Sequence, residues 1–141
     1  MVKFQVFTET FGNHMIQKET YLNIIDNTGV KKVSCIHIYG GYRKRYAHVG
    51  DIVLTAVKSV KSKNVEDLKF KKGDIAKVLI LYSNNIQKTF YSHNLKNYEN
   101  AGVVISASNK IVGSRIFGSV SSTFRFSKYL KVVTLSKGLY K

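Results

Sequence analysis

The tripeptide Gly-Asp-Ile occurs twice, at Gly50-Asp51-Ile52 and Gly73-Asp74-Ile75, and each copy opens a β-branched apolar run. Glycine takes the unusual φ that a tight turn demands, and aspartate bonds a nearby backbone N–H. Each copy therefore marks the entry to a strand, over 51–60 and 75–82. The flanking residues differ, so the pair does not establish an internal repeat. A third apolar run, 33–39, follows the turn tetrad Asp26-Asn27-Thr28-Gly29, and a fourth spans 101–105.

Weaker signals fill the gaps. Residues 15–25 read as two short strands broken near Lys18-Glu19. Residues 3–11 alternate loosely and read as an extra edge strand or a tail ordered by a partner, with Gly12-Asn13 as a turn. Residues 61–70 are polar and read as a loop, with a short helical turn as the alternative. Residues 83–97 read as a hairpin excursion around Phe90-Tyr91. Ser108-Asn109-Lys110 is a turn, and 111–118 is a glycine-punctuated strand or turn. Beyond Ser121, Phe124, Leu130, Val133 and Leu135 fall at roughly helical spacing, with Lys128, Lys131 and Lys137 on the polar side. That predicts one or two short helical turns. Many short strands separated by turn signals predict an all-β barrel, with the C-terminal segment packed over one of its ends.

Charge says what such a barrel meets. The 141 residues hold 23 Lys and Arg against 8 Asp and Glu, a formal net charge of +15. Self-repulsion of that size is relieved by a large polyanion, usually nucleic acid. The hydrophobic content of 44% is enough for a real core in one domain. Apolar runs are too short to span a membrane. The N-terminus lacks the features of a secretory or transit signal, which implies synthesis where the protein works or a presequence already removed.

The chemistry of catalysis is missing from the pattern. The single cysteine, Cys35, lies in an apolar run and reads as a core residue. His14, His37, His48 and His93 have no metal-ligand spacing. His37 reads as a pairing or core residue of its strand. Carboxylates are few, and Asp26, Asp51 and Asp74 sit in turns. No nucleophile elbow or phosphate-binding glycine loop is present. We expect no enzyme, no cofactor and no metal.

What remains is cationic and aromatic. Between two strand runs lies Tyr42-Arg43-Lys44-Arg45-Tyr46, closed by His48 and the Gly50-Asp51 turn. Three cations between two tyrosines suit RNA: guanidinium and ammonium groups meet phosphates, and rings stack on unpaired bases. We expect Arg43, Lys44 and Arg45 to make the contacts, and His48 with Gly50-Asp51 to hold the loop. Lys31, Lys32, Lys58, Lys61, Lys63, Lys71, Lys72 and Lys77 widen the positive surface.

These motifs, in order, resemble one family. Met15-Ile16-Gln17, Thr20-Tyr21-Leu22-Asn23 and Asp26-Asn27-Thr28-Gly29 are followed by Cys35-Ile36, Gly40-Gly41 and the block Arg43 through Ile52. Then come Lys71-Lys72-Gly73-Asp74, Asn100-Ala101-Gly102-Val103-Val104-Ile105, Gly113-Ser114-Arg115-Ile116-Phe117-Gly118 and Lys131-Val132-Val133-Thr134-Leu135. Together they are similar to the universal large-subunit ribosomal protein family L-fourteen.

The resemblance implies a small five-stranded β-barrel with short C-terminal helices, a structural constituent of the large subunit. It divides the chain into an N-terminal extension, 1–14, a barrel that binds large-subunit rRNA, 15–120, and a short helical segment, 121–141. It implies rRNA contacts at Tyr42, Arg43, Lys44, Arg45, Tyr46, Lys71 and Lys72, and the charge reading adds Lys31, Lys32 and His48, the last as a phosphate donor. It also implies a neighbouring L-nineteen-like protein and small-subunit rRNA at an intersubunit bridge. A ribosome-silencing factor would dock at Ser114, Arg115, Lys128 and Lys131.

The family's usual Arg-Thr after the long strand is Tyr82-Ser83 here, and its Gly-Pro is Gly118-Ser119. That divergence joins a composition rich in Lys, Ile and Asn and free of proline. Together they point to a mitochondrial, organelle-encoded member, with a plastid-type organelle as the alternative. The competing reading is a free-standing β-barrel nucleic-acid-binding accessory factor of translation or transcription.

Overall fold

A computed structural model describes residues 16–61, 69–84, 86–88 and 94–140. The expected strand over 3–11, the turn at Gly12-Asn13, most of the 61–70 loop and the hairpin tip at Phe90-Tyr91 lie outside these residues. Five strands close a barrel: β1 (Tyr21–Ile24), β2 (Val30–Ile38), β3 (Ile52–Val60), β4 (Ile75–Tyr82) and β7 (Ala101–Ile105), in the order β1-β2-β3-β4-β7. All pairs are antiparallel except the closing pair, β1 with β7. Between β4 and β7, β5 (Ile86–Lys88) and β6 (Asn94–Lys96) form the expected two-stranded excursion.

The alternation of β3 is regular: Val53, Thr55 and Val57 point inward and are buried. Strand β2 departs from it. Its buried residues are Val30, Val33, Cys35 and Ile38, spaced three, two and three apart. Register shifts at both three-residue steps identify bulges, one at Lys31-Lys32 and one at Ile36-His37. A bulge sets two residues against one, so both pairs face outward without displacing the core. His37 is thereby a pairing residue that is exposed, not a core residue.

The barrel has apolar side chains on two levels. Inside are Leu22, Ile24, Val33, Cys35, Ile38, Val53, Val57, Val78, Ile80 and Val104. Outside, Leu79 and Leu81 of β4 and Val103 and Ile105 of β7 are equally buried, beneath Ile116, Val120, Phe124 and Val132. Burial on both faces explains why Val78 through Leu81 form an unbroken apolar run. The C-terminal segment therefore covers one wall of the barrel rather than an end.

That segment is built from β8 (Ser119–Ser121), a 3-10 turn (Ser122–Phe126), α1 (Leu130–Leu135) and β9 (Gly138–Tyr140), which pairs parallel to β8. Phe124 and Val132 are its buried anchors, whereas Leu130 is exposed. The 3-10 turn stops at Ser127, whose backbone is extended. The helical phase restarts after it, so Leu130 does not continue the face of Phe124. Residues 111–118 make only isolated bridges, Ile111 to Ile105 and Ile116 to Asp26.

Asp26 fastens the closing seam. It is fully buried, and its Oδ2 accepts the Val104 N–H at 2.8 Å. Its Oδ1 accepts the Thr28 N–H at 3.0 Å and the Thr28 hydroxyl. Three donors satisfy a carboxylate that burial would otherwise penalise. Beside it, Gly102 permits the close approach of β7 to β4. A Cβ there would meet the Leu79 carbonyl oxygen and Val78 Cγ1, each at 2.6 Å.

Candidate nucleic-acid interface

The loop between β2 and β3 is pegged at three points. Ala47, buried, donates its N–H to the Ile16 carbonyl at 2.7 Å. Gly50, at φ 90, donates to the Ile80 carbonyl at 2.9 Å. Asp51 Oδ2 accepts the His48 N–H at 2.8 Å and pairs with Lys44 Nζ at 2.8 Å. This last contact divides the three cations. Lys44 turns back onto its own loop, while Arg43 and Arg45 are exposed.

Tyr42 is 89% exposed, and the Arg43 guanidinium stands 5.2 Å from its ring centre. Arg43 has φ 54, a left-handed conformation that costs a non-glycine residue roughly 1–2 kcal/mol. The expected division of labour thus changes in one respect. Lys44 joins Asp51 and the His48 backbone in holding the loop, leaving Arg43 and Arg45 to face outward between Tyr42 and Tyr46.

The second Gly-Asp turn repeats the first. Asp74 Oδ2 accepts the Lys71 N–H at 2.7 Å, and Gly73, at φ 97, donates to the Val57 carbonyl at 2.9 Å. It lies at the opposite end of the barrel. The start of β2, with Lys31 and Lys32, and the end of β3, with Lys58, share that end, and Lys61 donates its N–H to Gly29 O at 2.8 Å. Six steps along β3, from Asp51 to Val57, beside which the second turn sits, separate the two turns by roughly 20 Å, at about 3.3 Å rise per residue. The ten sequence-predicted rRNA residues therefore do not converge. Tyr42, Arg43, Lys44, Arg45, Tyr46 and His48 stand at one end, and Lys31, Lys32, Lys71 and Lys72 at the other.

The remaining four candidates lie on the C-terminal half. Asn27 positions two of them: its Oδ1 accepts the N–H groups of Ser114 at 2.9 Å and Arg115 at 3.3 Å, and its Nδ2 donates to Ser114 Oγ at 2.7 Å. Lys128 and Lys131 are exposed on the covering segment. The Ile116 N–H, bonded to the Leu135 carbonyl at 3.0 Å, links the two pieces of chain. A polar cleft of about 250 Å³ opens between Asn27-Thr28-Gly29, Lys69 and Val112-Gly113-Ser114. Asn27 was legible as a turn residue but not as the clamp for Ser114 and Arg115, because its partners lie 87 and 88 positions away.

Titratable chemistry is sparse. Burial pushes the Cys35 thiol above its ordinary value, opposed weakly by Lys18, which keeps it protonated and inert. Among the described residues, no three His, Cys, Asp or Glu side chains gather as a metal site would. No helix among them is long and apolar enough to cross a membrane.

A closed barrel with pinned, cationic loops at both ends, and no catalytic cluster among the described residues, is the frame of a structural protein. The chain matches the family model of ribosomal protein L14p/L23e over residues 15–140, nearly its whole length, and it belongs to that family. It is a structural component of the large ribosomal subunit and not an enzyme.

The positions that depart from the resemblance now acquire a local explanation. The Tyr82 hydroxyl donates to the Ser119 carbonyl, and its ring stacks on Tyr140 with centres 6.4 Å apart. Tyr82 and Ser119, two of the departing positions, touch each other and join the barrel to its covering segment.

Proposed function

We propose that this protein binds large-subunit rRNA primarily through the 39–51 loop, within a mitochondrial ribosome. One observation carries the reading: Arg43 and Arg45 are exposed between two exposed tyrosines, on a loop whose own cation–carboxylate pair fixes its shape. Preorganised donors lose little freedom on binding a phosphate backbone. Lys31, Lys32, Lys71 and Lys72 form a second contact at the far end, and His48 serves as a loop anchor. Ser114, Arg115, Lys128 and Lys131 form the face for small-subunit rRNA at a bridge and for a silencing factor. An L-nineteen-like protein is the neighbour.

In this reading residues 1–14 extend a barrel of 15–120, and 121–141 pack on it. The proline-free composition supports an organellar genome. The divergence at Tyr82-Ser83, where the family usually has Arg-Thr, favours a mitochondrial member.

The test is sedimentation. Tagged protein expressed in mitochondria should travel with large subunits and monosomes through a moderate salt wash. Replacing Arg43 and Arg45 together by Ala should deplete it from those fractions, whereas Lys110→Ala, in an exposed turn, should not. Protein remaining at the top of the gradient would instead support a free-standing factor.

A further inference from the structure

We propose that the outer face of β1, β2, β3 and the start of β4 is a stacking surface for unpaired RNA bases, lying between the two cationic ends. The proposal rests on the rRNA reading and specifies where, and in what form, the RNA is held.

The barrel exterior is divided in two. The β4–β7 wall is covered by the chain's own C-terminal segment, which buries Leu79, Leu81, Val103 and Ile105. The β1–β2–β3 wall is not covered by any described segment, yet it carries large apolar side chains. Tyr21 is 61% exposed, Ile75 65%, Ile36 43% and Tyr39 37%.

The strand register makes this one surface. Tyr21 pairs with Ser34, Ser34 with Ala56, and Ala56 with Ile75, a single row across four strands. The row has a bulky residue at each end and small ones between. Tyr21 and Ile75 stand about 14 Å apart, three strand spacings. The adjoining row is His37, Leu54 and Lys77. There the Lys77 ammonium lies 5.5 Å from the centre of the Tyr39 ring, and His37 meets the same ring edge-on at 5.5 Å. The second bulge of β2 is what turns both Ile36 and His37 outward.

Charge selects the occupant. Lys77 stands at the β4 margin of the face, its ammonium held over the Tyr39 ring. Lys31, Lys32 and Lys58 adjoin the face at one end, and Arg43 and Arg45 at the other. The aspartates at those two ends are already engaged, Asp51 by Lys44 and the His48 N–H, Asp74 by the Lys71 N–H. Two exposed carboxylates remain near the β1 edge, Glu19 and Glu99, the latter accepting the Asn23 amide at 2.8 Å. Cations interleaved with exposed rings and apolar side chains suit single-stranded RNA, whose bases stack on side chains while its phosphates meet lysines. A duplex hides its base faces and would use the cations alone.

The experiment measures binding of the full chain to two probes by fluorescence anisotropy, a 12-nucleotide oligouridine and a 12-base-pair RNA duplex. Tyr21→Ala should weaken oligouridine binding about tenfold while leaving duplex binding and the salt slope unchanged. Tyr21→Phe, which keeps the ring, should bind like the parent. Ile36→Ser with Ile75→Ser, both exposed and outside the core, should reproduce the selective loss. Equal losses for both probes, or parental binding of both by Tyr21→Ala and the double variant, would overturn the proposal. So would face variants that bind RNA normally but lose a neighbouring protein from purified large subunits, since a protein would then cover this wall. Failure of the parent to enter large subunits would strike the rRNA reading itself, which the anisotropy measurement does not address.

Discussion

Replacing Asp51 by Ala removes the hinge pin of the loop, and its cost can be worked from the contacts. The carboxylate accepts one backbone N–H at 2.8 Å, a charge-assisted bond worth roughly 1.5–3 kcal/mol. It also pairs with Lys44, but both side chains keep about a quarter of their exposure, 25% and 28%, so solvent screening holds that contribution to about 1 kcal/mol or less. The sum is about 2–4 kcal/mol. The twin turn is an internal control. Asp74 makes the same backbone bond, to Lys71, yet it is exposed and has no cation partner among the described residues, so Asp74→Ala should cost about 1 kcal/mol.

Urea denaturation reads the difference. With a slope of about 2 kcal/mol/M, the Asp51→Ala midpoint should fall about 1 M further than that of Asp74→Ala. Asp51→Asn should lie between parent and Ala, because an amide oxygen still accepts the His48 N–H but no longer carries charge. Lys44→Met combined with Asp51→Ala completes a cycle that isolates the pair, with a coupling of about 0.5–1 kcal/mol. Equal midpoint shifts for the two aspartates would refute the reasoning, since burial and the Lys44 pair would then contribute nothing.

Gly102→Ala should destabilise by about 3 kcal/mol, because its Cβ would meet backbone and Val78 at 2.6 Å. Gly41→Ala, whose nearest neighbour is Lys44 Cβ at 3.7 Å, should stay within about 0.5 kcal/mol; thermal melts compare the two. Phe124→Ala should cost about 3 kcal/mol by emptying the outer core, whereas Leu130→Ala should be nearly neutral. Denaturant titrations that rank them the other way would place the segment's anchor wrongly. Burial, aided by Tyr140 and Glu99, pushes the Tyr82 phenol up to about 12. Its contribution to stability is therefore complete below the ordinary phenol value of about 10 and is lost as pH rises through about 12. The parent should lose stability more steeply than Tyr82→Phe between pH 10 and 12, and parallel curves would contradict the assignment.

Much of this protein follows from short-range chemistry. The two Gly-Asp turns form because positive φ suits glycine and an aspartate reaches an N–H three residues back; no distant residue is needed. The β-branched runs become strands for equally local reasons, and their number and spacing led to a barrel. The family was legible for the same reason, since its motifs are contiguous blocks that match in order from residue 15 to 140. The exposed position of Arg43 and Arg45 agrees with their charge.

Tertiary structure alone decided three things. Antiparallel pairing placed the twin turns at opposite ends of β3, so cations that look like one group along the chain occupy two separated sites. A phase change at the second bulge of β2 turned Ile36 and His37 out together, where a strict period of two would bury one of them. Lys44, indistinguishable in sequence from its arginine neighbours, points back because Asp51 lies 2.8 Å away once the loop closes. Local sequence sets turns and strand starts because those interactions span a few residues. It leaves open which cations share a surface, because that depends on which strands meet and which wall of the barrel the chain itself covers.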